Sequence, residues 1–550
     1  MALRDTNLQK LGTETFDVLV VGGGVNGAVS AAALAASGVK VALVDRGDFA
    51  GETSQESSNL AWGGIKYLET FEFGLVRSLC LARNRLIRAY PSTVREISFY
   101  MTHPRGFRFP LWFVWLGAWL YWFMGNCFTR TPRLLSRRKM AREEPIVELS
   151  NANGGVEYSD AFLHDNDARF VWNFVRGALN HGCIAANYVE ATSAERTADG
   201  FSVAAKDTVG GRTFDIRARL VVNAAGPFVE ELNRRVGVET EHRHLLSKGI
   251  HILVRRLTPS WRVLTFFADD GRLFFVIPMG PRTCIGTTDT RVDAPDARVS
   301  PEDRRFVLEN INKRLRLEEP LREEDIIAER CGVRPLVVRG GQAAKKGDWL
   351  QLSRKHAIET KNGVISIFGG KLTDCLNVGE EILEEVRRAG VRVPYPTQRW
   401  YGEPSEETRE DFMHQARLMD LDALTPKTSS EPLSQRLWRR YGSHAFGLLE
   451  EIRADPKQAE LLIEHAEYLR CEIEQARVRE MVVKLEDFLR RRSKIALVVS
   501  EQTLRRASGL REACEILFGG EADQKYEEYF GMRVARSLPP PPPAELSRAG

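Results

Sequence analysis

Gly22, Gly24 and Gly27 stand in G-x-G-x-x-G spacing inside FDVLVVGGGVNGAVSAAALAASGVKVALVDRGD, between a short apolar run and an Ala-rich one. Glycine at these positions permits a tight turn, a close approach of backbone to a pyrophosphate, and close packing of a helix on a strand. The N–H groups that open the following helix are then offered to the phosphates. Asp45 ends the second apolar run, about twenty residues beyond the turn, where a carboxylate accepts hydrogen bonds from a ribose hydroxyl rather than capping the next segment. The chemistry implied is dinucleotide binding. NAD-dependent and FAD-dependent enzymes both open this way, and the turn alone does not separate them.

A strand, a helix and a second strand must hold these residues, and the remaining chain supplies further elements around them. Beyond Glu69 a helical pattern runs to about Arg88. From Gly154 to Gly226, alternating segments with turn signals read as the strands of a meander ending in the buried strand LVVNAAG. Small residues at its end permit a ligand to approach. GIHILV, RLFFVIPMG, CIGTTDT and VISIFGG read as strands of a second sheet, and a helix begins near Leu372 after the Gly369-Gly370-Lys371 turn. From about Arg399 the chain is charged, helical and strand-poor as far as Gly531, and LPPPPPAELSRAG is expected to be an extended tail.

With 550 residues the chain is long enough for two or three domains and a core that encloses a cofactor. The 78 Lys plus Arg against 74 Asp plus Glu leave a net +4, too weak a bias for a nucleic-acid partner. Eight dispersed cysteines without a Cys-x-x-Cys pair argue against a zinc site or a disulfide framework and for a reducing compartment. The opening MALRDTNLQKLGTETFD has no apolar signal core, so a cytosolic or cytosol-facing enzyme is expected.

The motifs GGGVNG, TSQESSNLAWGGIKYLE, GVEYSDAFLHDNDAR, VVNAAGPFV, SKGIHILV, CIGTTDT, CGVRPLV and SIFGGKLTD follow one another in an order that resembles the FAD-dependent glycerol-3-phosphate dehydrogenases. FLRRRSKIAL resembles the helical cap of the same family, so the likeness covers nearly the whole chain. The resemblance implies an α/β fold: a glutathione-reductase-like FAD-binding Rossmann domain, a mixed-sheet substrate domain and a C-terminal α-helical domain. The corresponding divisions are 1–90 and 151–228 for the FAD domain, 91–150 for a helical, apolar, membrane-associating insertion, and 229–360 for the substrate domain. Residues 361–398 return to the FAD domain, 399–531 form the helical cap and 532–550 the Pro-rich tail.

The implied reaction is oxidation of sn-glycerol 3-phosphate to dihydroxyacetone phosphate, with hydride passing to flavin N5 and the electrons to a membrane quinone. Cofactor contacts are implied at Gly22, Gly24, Asn26, Gly27, Asp45, Thr53, Ser54, Ser57, Ser58, Gly63, Gly64, Ala225, Gly226, Gly369, Gly370, Leu372 and Thr373. No metal is called for. A buried phosphate dianion needs matched cations, and Arg334, Arg354 and Lys371 could supply two forks and a point charge. Lys66, Tyr67 and Thr373 complete the implied substrate contacts. Loss of the hydroxyl proton requires a base. His251 is one candidate because an unperturbed imidazole titrates near about 6.5; Lys371, crowded by the arginines, is the other.

In the family the opening loop has the form SSKLIHGGLRYLE, so Asn59, Trp62 and Lys66 replace lysine, histidine and arginine, while Gly63-Gly64 and Tyr67-Leu68-Glu69 are kept. Asp374 stands where a small hydroxyl residue is usual. An unchanged approach to the flavin and an altered substrate contact are therefore expected. An oxidase, a dehydrogenase of another phosphorylated polyol or hydroxy acid, and a non-catalytic flavin-binding membrane protein are the alternatives. FPLWFVWLGAWLYWFMGNCF, residues 109–128, has the length of a membrane span and no charge. Residues of one active site lie before and after it, so it is expected to lie at the membrane interface, anchored through Trp115 and Trp119 on the cytoplasmic face, as a peripheral or monotopic contact. A core helix or a homodimer contact is the alternative.

Overall fold

The apolar run FDVLVV lies in the strand Thr15–Val21, whose last four residues are buried, with Val41–Val44 and Thr213–Asn223 parallel to it on either side. Parallel neighbours need a crossover. The helix Val25–Ala36 supplies it and is buried on nearly every side, because the helices Asp167–Asn180 and Cys375–Arg388 cover it from outside. An apolar run without a polar face suits that position.

The computed structural model describes residues 3–339, 355–427, 429 and 431–537. Arg354 and residues 538–550 of the Pro-rich tail lie outside them, whereas 532–537, expected as the start of that tail, continue the helix Ala522–Ser537. The first sheet has eight strands, in the order Ala357–Lys361, Val364–Phe368, Thr213–Asn223, Thr15–Val21, Val41–Val44 and Ile184–Ala186, with the hairpin Val189–Thr197 and Gly200–Asp207 attached at Thr213–Asn223. VISIFGG, grouped by its pattern with the second sheet, belongs here, as the expected return of 361–398 requires.

The second sheet has ten strands. Its longest strand, His242–Arg255, is flanked by Ala328–Arg339 and Arg282–Gly286, and beyond the latter follow Leu273–Met279, Arg262–Phe267, Val94–Pro104 and Ala152–Leu163. Val94–Pro104 falls in the segment expected as an apolar insertion (91–150), and Ala152–Leu163 in the segment assigned to the nucleotide domain (151–228). They pair with each other and join this second sheet through Arg262–Phe267, so those two divisions do not hold there. Period-two patterning identifies a strand but not the sheet it enters.

The chain beyond residue 402 adds no strand to either sheet among the described residues. Its helices, among them Leu433–Tyr441, Arg470–Arg479 and Ser508–Phe518, are tied back to the first domain by buried ion pairs such as Arg169–Glu480 at 2.6 Å. The aromatic run forms the helix Leu111–Met124. Among the described residues, no helix is long and apolar enough to cross a membrane.

Candidate functional site

The glycine turn is built as its spacing implies. Gly22 has φ +105°, and a Cβ there would lie 2.5 Å from the Ala224 carbonyl oxygen; one on Gly27 would lie 1.7 Å from the Gly22 oxygen. No other residue fits either position. The backbone amide of Gly23 donates to Asp45 Oδ2 at 2.6 Å and that of Val25 to Ser54 Oγ at 2.9 Å. Two of the amides expected to face phosphate are thus already committed. Asp45 also accepts from the Gly47 amide at 2.8 Å. Burial pushes its carboxyl up to about 6, against the lowering effect of those two amides.

Gly22, Gly24, Asp45, Thr53, Ser54 and the Ala225-Gly226 turn line one elongated cleft. A second group of expected cofactor residues continues from it. Asn26 Nδ2 donates to the Gly369 carbonyl at 2.9 Å, joining the glycine-turn helix to the Gly369-Gly370 turn, and Thr373 Oγ1 donates to the Trp62 carbonyl at 3.2 Å. Leu372 is half-buried beside Thr373, and Gly63 and Gly64 are buried in the facing loop. Ser57 donates its amide to Asp167 at 2.9 Å, and Ser58 beside it is half-buried. A glycine cradle with no room for side chains, a carboxylate at the end of the second strand and a continuous run of small and hydroxyl residues fit FAD.

The substrate sheet presents a row of polar groups. In its register Arg330 faces His251, His251 faces Gly286, and Gly286 faces Phe275, which places these side chains on one face. The His251 ring leans over Gly286, where a Cβ would lie 2.6 Å from Cδ2, and the Arg334 guanidinium covers Gly249 in the same way. Arg334 donates to Thr287 Oγ1 at 2.8 Å and lies 3.5 Å from Asp289. Lys371 Nζ donates to the Tyr67 hydroxyl at 3.0 Å and lies 4.2 Å from that ring's centroid. Trp62 closes the circuit, 6.1 Å from Tyr67 and 6.3 Å from Phe275, with its Nε1 donating to Tyr158 at 3.3 Å.

His251 is 3% exposed, and neither ring nitrogen has a protein partner among the described residues. Burial, reinforced by Arg334 and Arg330, pushes its pKa down to about 3, so the expected titration near 6.5 does not apply to the free protein. The imidazole is held neutral and can accept a proton or a hydrogen bond. Arg330 was missed from the sequence. Its Nη1 donates to Ser57 O and to Asn59 Oδ1 (2.8 Å), while Nε and Nη2 have no partner among the described residues. The signal was a second arginine four residues before Arg334, a spacing that places both on the same face of a strand.

The unusual loop residues separate into three kinds. Asn59 is fully buried, donates to the Leu163 and Asp165 carbonyls at 3.3 and 2.9 Å, and receives Arg330; it is a structural knot and not a substrate contact. Asp374 was expected to bring negative charge to an anion site. It is instead paired with His356 at 2.6 Å, which also lies 3.1 Å from Glu381. Burial opposes the charge on His356, but its bonds to Asp374 and Glu381 outweigh that and push its pKa up to about 9. Lys66 is exposed. Only Trp62, of the three loop changes, lines the circuit.

A family model described as FAD dependent oxidoreductase matches residues 17–373, and one described as the C-terminal domain of alpha-glycerophosphate oxidase matches residues 402–518. The chain is 29% identical over 563 residues to glycerol-3-phosphate dehydrogenase 2 of Mycobacterium tuberculosis, covering 99% of this chain and 93% of the relative. It is 30% identical over 508 residues to D-erythritol 1-phosphate dehydrogenase of Brucella abortus, covering 89% and 96%. The fold matches that of the glycerol-3-phosphate dehydrogenase from Bacillus halodurans complexed with FAD, with a TM-score of 0.73 at 24% identity over 98% of this chain and 99% of that one.

Proposed function

Because the chain belongs to the family of FAD-dependent oxidoreductases, we propose that it oxidises the secondary hydroxyl of a short phosphorylated polyol, sn-glycerol 3-phosphate first, to the corresponding ketone. The observation that carries this reading is the row Arg330–His251–Gly286–Phe275 with Arg334 beside it: both His251 ring nitrogens and Arg330 Nε and Nη2, without partners among the described residues, stand on one wall of a site, next to a guanidinium fork. FAD, when bound, supplies the hydride acceptor at N5. The protein's own residues do the rest. Arg334 and Lys371 hold the phosphate, by fork and by point charge. His251 takes the hydroxyl proton, and Lys371 is the other candidate for that role. Trp62, Tyr67 and Phe275 exclude water around the carbinol carbon.

A second substrate is favoured by a specific feature. Trp62, whose family counterpart is usually histidine, makes the wall it shares with Tyr67 and Phe275 aromatic, and a four-carbon phosphate such as that named for the Brucella relative, D-erythritol 1-phosphate, could lay its C–H face against it. Anaerobic bleaching of the yellow protein with each phosphate tests both. Rapid bleaching by glycerol 3-phosphate carries the first reading; bleaching by the four-carbon phosphate alone carries the second. No bleaching by either removes the polyol phosphate proposal. Peroxide yield under air distinguishes quinone from oxygen as acceptor.

Electron transfer to a membrane quinone is part of the same proposal. Support comes from the helix Leu111–Met124, which exposes Trp112, Phe113, Leu116, Leu120 and Phe123. Contiguous apolar side chains on a surface mark a lipid or partner contact. Trp115 and Trp119, expected as the anchor, are half-buried and stack edge-to-face with each other, because the helix turns its other side outward. Tyr121 of this helix donates to Asp160 at 2.7 Å, and Asp160 also accepts the Gly63 amide, so the apolar face lies close behind the Trp62 loop. Replacing Trp112, Leu116 and Phe123 together with Glu should move the protein from the membrane fraction to the soluble one while its flavin still reduces. Retention on membranes would place the anchor elsewhere.

A further inference from the structure

FLRRR contains three consecutive arginines, Arg490, Arg491 and Arg492, that are only 7%, 4% and 2% exposed. Buried cations are costly unless paired and hydrogen-bonded. Their side-chain ion pairs all go either to their own turn or to one short segment of the first domain, residues 48–56; outside these, Arg492 Nε donates to the Glu480 carbonyl at 3.0 Å. Arg492 forms a two-pronged bond with Asp48, Nη1 to Oδ2 at 2.9 Å and Nη2 to Oδ1 at 2.8 Å, while its guanidinium stacks 4.2 Å from Trp172. Arg491 donates to Asp48 Oδ2 at 2.6 Å, to Gln55 Oε1 at 3.2 Å and to Asp487 at 2.6 Å. Arg490 donates to the Gln55 carbonyl at 2.5 Å and lies 3.2 Å from Glu56.

Both ends of the segment are therefore gripped, one at Asp48 and the other at Gln55 and Glu56, with Arg491 spanning the two. What lies between them is cofactor machinery: Gly51, Glu52, Thr53 and Ser54 line the cleft. The segment also rests on the glycine turn, through the Ala50 amide to the Gly23 carbonyl at 3.0 Å and the Val25 amide to Ser54 Oγ at 2.9 Å. Thr53 Oγ1 donates to the Val333 carbonyl at 2.7 Å, next to Arg334. None of the residues lining that cleft comes from the C-terminal match at 402–518.

We propose that Arg490, Arg491 and Arg492 are positioning residues for the cofactor: by clamping both ends of segment 48–56 they hold it against the glycine turn, so that the C-terminal helical domain sets how long FAD stays bound. A fork that bridges two acceptors does this; a point charge cannot.

The test uses the full-length holoenzyme and follows FAD release by the rise of free-flavin fluorescence after dilution, well below the unfolding temperature. Arg491→Met should release FAD at least tenfold faster than the parent, and Arg491→Lys severalfold faster. Arg169→Met is the control, since Arg169 is an equally buried tie to the same domain, through the Glu480 carboxylate at 2.6 Å, and makes no bond to segment 48–56; it reaches the triplet only by way of the Glu480 carbonyl that accepts from Arg492 Nε. It should lower Tm while releasing FAD at the parental rate. If Arg491→Met and Arg169→Met release FAD equally fast, or Arg491→Met releases it no faster than the parent, the triplet merely joins two domains and the clamp is refuted. Should Arg491→Met not fold, Arg491→Lys decides alone: severalfold faster release supports the clamp, and a parental rate overturns it.

Discussion

Arg334→Ala should lower the second-order rate of anaerobic flavin reduction by the phosphorylated substrate by roughly two decades, equivalent to about 2 to 3 kcal/mol for removing a charge-assisted hydrogen bond from a secluded site. The guanidinium sits over Gly249, where no side chain competes for space, and is oriented by Thr287 Oγ1 at 2.8 Å and Asp289 at 3.5 Å. A fork held this way positions as well as binds, so both the apparent affinity and the limiting rate of reduction should fall. Arg334→Lys keeps the charge and loses the fork, and should recover affinity more than rate. If Arg334→Ala changes neither quantity, the phosphate is held elsewhere.

His251→Phe keeps the ring's volume and removes its nitrogens. The expected result is a loss of about 10²- to 10⁴-fold in the limiting rate of flavin reduction, the usual contribution of a positioned general base. The pH profile of the parent distinguishes this role from a structural one. With its pKa pushed down to about 3 by burial, Arg334 and Arg330, His251 is neutral in the free protein at every ordinary pH, so kcat/KM should show no acid limb near 6.5 from this group. A bound phosphate dianion opposes the two arginines and raises the imidazole pKa, so an acid limb should appear in the limiting rate and vanish in His251→Phe. Retention of rate and limb in the variant would transfer the proton to Lys371. Stability is linked with a definite sign. The folded-state pKa lies below that of the unfolded chain, so the contribution of His251 is complete above about pH 6.5 and is lost as pH falls toward 3.

Dinucleotide binding was legible in the sequence because its determinants are local. A turn in which Gly22 must adopt φ +105° and Gly27 must tolerate a carbonyl where a Cβ would be, between an apolar strand and an Ala-rich helix, leaves few alternatives within thirty residues of chain. Resemblance then carried the cofactor, the substrate sheet and residues such as Arg334 and Lys371, which follow small residues at the ends of strand-like runs. The helical character of the C-terminal region was equally visible, since strand signals cease there.

What only the tertiary structure decided depends on partners far apart in the chain. Asn59 is a knot because Leu163, Asp165 and Arg330 converge on it, and Asp374 is neutralised because His356 lies against it. Lys66 and Trp62, four residues apart in one loop, end one exposed and the other half-buried, and the apolar helix exposes Trp112 while half-burying Trp115. The sheet joined by Val94–Pro104 and Ala152–Leu163, and the grip of Arg491 on Asp48 across 443 positions, are of the same kind. Spacing and composition report which side chains can bond. Which charges meet in a buried space, and so whether a carboxylate is a ligand contact or half of a silent pair, is set by the desolvation and pairing energies of the folded whole.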